Sequence, residues 1–320
     1  MKGSRLAATI IIAIIAGLSL STLTSSTESD RGGVKGEITA VSAFVAKHFQ
    51  EGDSVRVTPF WNEDLWVDLK NIGPGTEKFP FPALLRGDRI DVVTLLRMKR
   101  IWMIGSQGRK AKPSDPLFET LEPSLTEEFA DGTTVALYDM PDMGHKGSLS
   151  SSLNTLSVAR AVPGREERPC PKRGRRHRCG KEGWENPSVE TRDVFHNEVS
   201  WLLAHPPANN ETLVITWPTT NAAYLIVRAG FTLKAVRKEQ GSPVTVKVSV
   251  NGVDVDTFTL EPHKYHLEMR LLPLDPEQTK NTVRFEVHAE DHRFRQLMLE
   301  ADIVSNVPDV VRTSATYSGI

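Results

Sequence analysis

The sequence predicts an α+β protein of two domains: a small α/β (Rossmann-like, mostly parallel sheet) domain, then an antiparallel β-sandwich or jelly roll. Three observations predict it. Helix-like and strand-like runs alternate between Val34 and Met140, the order that builds a small parallel sheet. From about residue 187 the apolar period switches to two, in short runs punctuated by Asn, Gly, Pro and Asp, and regular strands without intervening helices make sandwiches. Between the two patterns lies a Ser-rich, then Arg-rich stretch too polar for a core. The expected organisation is a signal peptide or N-terminal anchor over 1–26, the α/β domain over 34–142, and a linker with a basic disulfide loop over 143–186. The β-sandwich then runs over 187–304 and a flexible tail over 305–320.

The first element is an export signal. Lys2 and Arg5 precede an uncharged apolar stretch, Leu6–Leu20, which small and hydroxyl residues follow, the layout of a Sec-type signal. The stretch falls short of the roughly 20 residues that span a bilayer comfortably. Cleavage near Ser21–Ser26 is therefore favoured, with retention as a weak anchor the alternative. "IIIAII" has no polar face at helical spacing, which argues against an amphipathic helix packed on a domain. No cysteine follows the stretch, so a bacterial lipoprotein anchor is excluded. Over the whole chain, 39% apolar and 25% charged residues describe a globular body. A net charge of −1 gives no whole-chain argument for nucleic acid or an acidic substrate.

In Val34–Phe49, residues Ile38, Val41, Val45 and Phe49 recur at spacings of three and four, an amphipathic helix. "SVRVTP" alternates Val55 and Val57 with polar neighbours until Pro59, a short strand. In "WNEDLWVDLKNIGPG", Asn62 caps a helix with Glu63 and Asp64 in its first turn, and Gly73-Pro74-Gly75 closes it. "IWMI" is apolar on both faces, as in a central strand covered by helices. "DPLFETLEPSLTEEFADG" supplies a helix broken or kinked at Pro123, and "TTVALYDMP" a further strand. The glycine pair of "GSQGRK" is neither G-x-G-x-x-G nor a Walker motif, so no cofactor is expected. Trp61 and Trp66 bracket the turn after the first strand, where ligands of open α/β sheets sit. They are core or rim aromatics, or a platform on which a flat sugar face stacks.

The string "GDSVRVTPFW…LRMKRIWMIGSQG…LFETLEPSLTEEFADGTTVALYDM" resembles the soluble extracytoplasmic domain that follows the membrane helices in bacterial relatives of dolichyl-phosphate-mannose-type glycosyltransferases. The resemblance implies an α/β fold and an envelope setting. It carries over no catalytic residue, because this chain lacks the multi-helix membrane half where that family's acidic residues lie.

The second half offers nine candidate strands, from "VETRDVF" to "FRQLMLEADIV". The clearest pair is "VTVKVSVNGVDVDTFTL", where Val244, Val246, Val248 and Val250 share a face and Asn251-Gly252 makes a tight I′ turn. That hairpin and the strand number make this half similar to the galactose-binding-like jelly rolls appended to exported bacterial proteins. The resemblance implies a fold and, for many such domains, sugar binding; it fixes no ligand residue. Trp201, His205 and Trp217 are candidate ligand contacts, with His196, His288, His292 and Arg293 also on these strands and turns. A tryptophan on a strand is also the commonest large core residue. His288 and His292 lie four apart at a strand end, not on a helix face, and no third ligand stands at a recognisable spacing, so no metal is expected.

"PCPKRGRRHRCGKEGW" holds both cysteines. From Arg160 to Lys181 there are nine Lys or Arg against two Glu, a local net of 9 − 2 = +7. Zinc on Cys170, His177 and Cys179 lacks a fourth ligand, and nucleic acid is disfavoured by export and by the absence of interleaved aromatics. A disulfide between Cys170 and Cys179 is the expected state in an oxidising compartment. Arg173, Arg175, Arg176 and Arg178 are either a solvated surface or a contact with an anionic membrane surface. With no G-x-S-x-G or H-E-x-x-H motif, the sequence points to an exported, non-catalytic cell-envelope binding or assembly protein. Its partner is a glycan, bound through the jelly roll, or an envelope protein, and not nucleic acid. The alternative is an enzyme or enzyme accessory acting on envelope glycans or lipid-linked sugars.

Overall fold

The structure is a computed structural model, and it describes residues 40–59, 62, 64–65, 67, 69, 84–85, 97–111, 118, 121–195, 197–238, 240–262, 264–309 and 312. The expected export signal, Trp61, Trp66, His196 and most of the expected tail lie outside the described residues. The chain divides into two compact units that interleave along the sequence. Met1–Leu84, Trp102–Pro113 and Glu122–Tyr138 form one; Leu85–Ile101, Ser114–Leu121 and Asp139–Ile320 form the other.

In the first unit, residues 40–48 are helical and bury Val41 and Val45, as their spacing predicts. The strands are β1 (Asp53–Thr58), β2 (Leu84–Leu85), β3 (Arg100–Gly105), β4 (Leu125–Glu128) and β5 (Thr134–Asp139), in the sheet order β2-β1-β3-β5-β4. Ile101, Trp102, Met103 and Ile104 are all buried, which accounts for the run's apolar residues on both faces. The Trp102 Nε1–H donates to Asp53 Oδ2 at 2.9 Å, so the indole nitrogen is satisfied in the core.

The expected Rossmann-like, mostly parallel α/β domain does not form, and the fold class is corrected accordingly: the chain is nearly all antiparallel sheet, arranged in three sheets. The segment expected to be a kinked helix shows why. Leu125–Glu128 is an edge strand antiparallel to β5, with Leu125 opposite Leu137 and Glu128 opposite Thr134. Asp131-Gly132 turns the chain back. Gly132 sits at φ +77, a conformation that side chains resist. The Asp131 carboxylate accepts from the Thr133 N–H at 2.7 Å and from its hydroxyl at 2.8 Å, and an Asp-Gly between two runs is a hairpin signature. The expectation of a helix broken or kinked at Pro123 is therefore corrected for the residues beyond the proline, which form strand β4.

The second unit is a sandwich of two antiparallel sheets. Its strands are β6 (His145–Ser148), β7 (Ser157–Ala161), β8 (Arg168–Pro169), β9 (Lys172–Arg173), β10 (Arg176–His177), β11 (Ser188–Val194) and β12 (Asn197–Leu203). There follow β13 (Thr212–Thr220), β14 (Tyr224–Phe231), β15 (Val244–Val250), β16 (Val253–Leu260), β17 (Leu267–Pro273), β18 (Lys280–His288) and β19 (Leu297–Val304). One sheet runs β17-β14-β19-β12-β11-β10-β9, with β6 also on β19; the other runs β16-β15-β18-β13-β7-β8. The nine runs of period two all become strands, β11 to β19. Their inward sets meet in one core that includes Ile215, Trp217, Val227, Phe231, Phe285 and Leu299. At the β15–β16 turn both Asn251 (φ +52) and Gly252 (φ +82) are left-handed, as a type I′ turn requires. Segment 143–186, read from its composition as a linker, supplies β6 to β10. Of these, β6 pairs with β19, β7 with β13 and β10 with β11.

The other face of the eight-stranded sheet is buried as well, and it carries charge. Arg228 on β14 and Glu300 and Asp302 on β19 are each 0% exposed. Asp302 accepts from Arg97 Nε at 2.7 Å, His145 Nε2 at 2.8 Å and Arg228 Nη2 at 2.6 Å. Glu300 accepts from the Ser150 N–H at 3.1 Å and hydroxyl at 2.5 Å.

Candidate ligand-binding site

Within the second unit, three loops bring aromatic rings together at one end of the sandwich. Trp184 belongs to the 3-10 turn Gly183–Glu185, His205 follows β12, and His292 lies in the β18–β19 loop. The Trp184 and His205 ring centroids are 4.6 Å apart, Trp184 and His292 are 5.3 Å apart with their planes at 24°, and the two imidazoles are 6.1 Å apart. If the imidazoles sandwiched the indole, their separation would approach the sum of the first two distances. At 6.1 Å the two imidazoles do not sandwich the indole; His292 stacks on it, His205 stands tilted at 44°, and Trp184 is half-buried.

Each ring is held from below. The Asn186 side chain accepts from the N–H groups of Cys179 (2.9 Å) and Gly180 (3.2 Å) and donates to the Glu182 carbonyl (2.7 Å), which ties the Trp184 turn to the disulfide. Buried Arg160 donates to the Cys179 carbonyl (3.2 Å) and to Glu185 (3.3 Å), and pairs with Glu211. In the β18–β19 loop, Asp291 accepts from Arg293 Nε (2.9 Å) and Nη2 (2.6 Å). The Asp291 N–H donates to the Ser242 hydroxyl at 2.9 Å. Phe294 in the same loop has a left-handed backbone (φ +57) and is 39% exposed, the one exposed aromatic side chain among the described residues. A bulky residue held in that region points to a constraint imposed by its surroundings.

Beneath the rings lies Arg295, fully buried, donating to the carbonyls of Pro262 (3.4 Å) and Lys238 (3.3 Å) and lying over Phe231 at 5.3 Å. Gly241 makes room for it. A Cβ there would stand 2.3 Å from Arg295 Nε, and φ is +91. His205 Nδ1 is 2.7 Å from the Pro206 carbonyl and therefore carries the proton, leaving Nε2 as the bare nitrogen. Burial pushes the His205 pKa down to about 4, more than the Pro206 hydrogen bond raises it, and His292 and Arg295 add to the lowering. The cluster therefore presents neutral His205 at pH 7.

Of the residues singled out from sequence, His205 enters this cluster and Trp217 does not: it is 2% exposed in the sandwich core. Trp201 is 3% exposed, with the Arg228 guanidinium 4.9 Å from its centroid. His288 stands on β18 with Nδ1 3.4 Å from the Glu211 carbonyl. Arg173, Arg175, Arg176 and Arg178 are exposed on the hairpin of β9 and β10. Sequence reasoning missed Trp184, Phe294 and Arg295. Trp184 closes the cysteine-bearing segment "PCPKRGRRHRCGKEGW". The only sequence signal for it was a lone aromatic in an otherwise polar stretch.

Cys170 and Cys179 form the expected disulfide, which fits an oxidising compartment. Among the described residues no helix is long and apolar enough to cross a membrane. Closing this nine-residue separation restricts the unfolded chain by about 2–3 kcal/mol. Reduction, or Cys170→Ser with Cys179→Ser, is expected to lower the urea-unfolding free energy by that amount. An unchanged midpoint would show that the hairpin frays without cost to the sandwich.

The second unit is thus an antiparallel β-sandwich, and the solved structures to which this chain is similar include carbohydrate-binding modules. The CBM51 of Clostridium perfringens GH95, solved with methyl-galactose, is 9% identical, with 37% of this chain and 77% of that one covered and a TM-score of 0.23. The CBM51-2 and INT domains of Clostridium perfringens ZmpB, solved with GlcNAc, give 10% identity, 59% and 40% coverage and 0.25; this chain spans less than half of that structure's length. TmCBM61 with β-1,4-galactotriose gives 12%, 61% and 94%, and 0.20. Likenesses at these TM-scores carry no argument about ligand or chemistry. No protein family matches the sequence, and no curated protein does, so the resemblance of the N-terminal half to a glycosyltransferase-associated domain finds no support.

Proposed function

We propose that this protein is an exported, non-catalytic glycan-binding protein of the cell envelope, and that the Trp184 cluster is where the sugar binds. The observation that carries this is the half-buried Trp184 indole, stacked on His292 and flanked by His205. An indole that the two imidazoles do not sandwich, on a turn tied down by Asn186 and Arg160, suits the apolar face of a pyranose. Phe294, two residues beyond His292 in the same loop, is a further exposed apolar side chain. His292 and the bare Nε2 of His205 supply polar groups beside the indole, the combination of aromatic surface and few placed polar groups typical of ligand sites.

Isothermal titration with a panel of soluble oligosaccharides tests the reading. At least one is expected to bind, and Trp184→Ala is expected to weaken it by roughly tenfold, whereas Trp217→Phe, a change inside the core, leaves affinity unaltered in the folded variant. Equal affinity in Trp184→Ala would move the site elsewhere. Release of reducing ends from any bound glycan by the purified chain would overturn the non-catalytic assignment.

A further inference from the structure

We infer that the disulfide hairpin beside the ring cluster makes this a site for anionic polysaccharide, a chain bearing carboxylate, sulfate or phosphate groups; the inference rests on the glycan-binding reading of the Trp184 cluster and narrows it. The hairpin extends the eight-stranded sheet by two short strands. Arg176 pairs with Ser188 of β11 and with Arg173 of β9, and Gly174 (φ +60) makes the turn with Arg175.

Strand alternation then sorts the side chains. His177 and Lys172 are register partners and face one way. His177 is 2% exposed, with its ring nitrogens 3.4 Å from the Cys170 and Leu153 carbonyls, and Lys172 contacts Asn154. Arg173 and Arg176 face the other way, Arg178 follows two residues on, and Arg175 stands at the tip. All four arginines are exposed.

What distinguishes these four is that the neighbouring carboxylates are already engaged. Arg160 holds Glu185 and Glu211, Arg192 holds Glu190, and Arg284 takes Glu167 at 2.6 Å. Glu166 and Glu182 are exposed on the same segment, but from Arg160 to Glu182 there are still nine Lys or Arg against three Glu, a net of 9 − 3 = +6. A structural ion-pair cluster would use its arginines internally; here four cations are left facing solvent on a covalently closed support.

The hairpin and the aromatic cluster are one hydrogen-bonded body. Asn186 bridges Cys179 and the Trp184 turn, and the Arg178 N–H donates to the Pro171 carbonyl at 2.9 Å. A ligand that stacks on Trp184 and continues as a polymer therefore runs beside a row of guanidinium groups, which pair bidentately with carboxylate, sulfate or phosphate. A membrane fits less well, because Arg173–Arg176 present no apolar or aromatic side chain for insertion.

The test uses the full chain in affinity gel electrophoresis and titration with polygalacturonate and dextran sulfate, with neutral dextran and galactan, and in co-sedimentation with vesicles of phosphatidylcholine and phosphatidylglycerol. An acidic polysaccharide is expected to retard the protein and to lose its hold as salt rises, since exposed pairs are screened. The variant Arg173→Ser/Arg175→Ser/Arg176→Ser/Arg178→Ser, with its disulfide intact, is expected to bind on the order of tenfold or more weakly. Trp184→Ala is expected to weaken the same probe with little change in salt dependence. Retention of full affinity by the quadruple variant overturns the inference. Preference for neutral dextran or galactan overturns it while sparing the glycan-binding reading, and vesicle binding without glycan binding replaces it with a membrane contact. Failure of every glycan, acidic or neutral, sinks both proposals together.

Discussion

Asp302→Ala is expected to destabilise the sandwich by roughly 3–5 kcal/mol, the cost of leaving buried charge without its counterpart. Asp302 is the hub of the network under the eight-stranded sheet. It accepts from Arg97, His145 and Arg228, and it is 0% exposed. Burial alone would push its carboxyl up, but Arg228, His145 and Arg97 outweigh it and hold it down to about 2. Glu300 goes the other way, because burial raises it more than Arg97 lowers it. Asp302 is thus the anion that balances Arg228 and Arg97. Without it the Arg228 guanidinium loses its 2.6 Å carboxylate partner, and the nearby Glu300 is a carboxyl that burial disposes to hold its proton.

The comparison that separates charge balance from packing is a double replacement. Arg228→Met with Asp302→Leu removes both members of the 2.6 Å pair and fills the volume with apolar atoms, which in other proteins is neutral or better. It is expected to cost less than Asp302→Ala alone in urea unfolding followed by tryptophan fluorescence. A single variant within about 1 kcal/mol of the native chain, the value of an exposed pair, would mean that water reaches the network.

How far these features could be read beforehand depends on range. Strands β11 to β19 were legible because their period of two is a local signal, and the Asn251-Gly252 turn because only two left-handed residues in a row close so short a hairpin. Strand β7, "SVARA", was not legible. It buries Val158 and Arg160, and its arginine is inward only because Glu185 and Glu211, distant in sequence, meet it there. Trp184 hid for the same reason: its significance comes from His205 and His292, 21 and 108 residues further along. The helix expected before Asp131, broken or kinked at Pro123, gives way beyond the proline to strand β4, because Asp131-Gly132 is a hairpin turn that pairs it with β5. The charges of Arg228 and Asp302, on strands of otherwise apolar pattern, gave no hint that they would meet.

His205 gives the second large effect, and its sign follows from burial. Folded, its pKa is about 4; unfolded, it returns to 6.5. Between these values the unfolded chain binds a proton that the folded one refuses, so stability is complete above pH 6.5 and falls as pH drops toward about 4. The difference corresponds to about 3 kcal/mol at the lower end. The groups facing His205 are His292, Glu185 and Arg295. Protonation places a new cation above buried Arg295, so the ring cluster is expected to loosen, and glycan affinity to fall with stability, over the same interval.

Two other groups bound the interpretation. Asp302, lowered to about 2, removes stability only below its ordinary 3.8 and so lies outside the window. His266 is raised by its hydrogen bond to Glu268, so its contribution is present at acid pH and lost as pH rises through its folded value, opposite in sign. Urea unfolding across the window should therefore be compared between the native chain and His205→Gln. The variant keeps His266 and is expected to lose the acid destabilisation that His205 causes, its stability staying level or rising as pH falls. Parallel curves for the two proteins would show that His205 protonates in place, with water already at the rings, and would remove the dry floor on which the Trp184 platform rests.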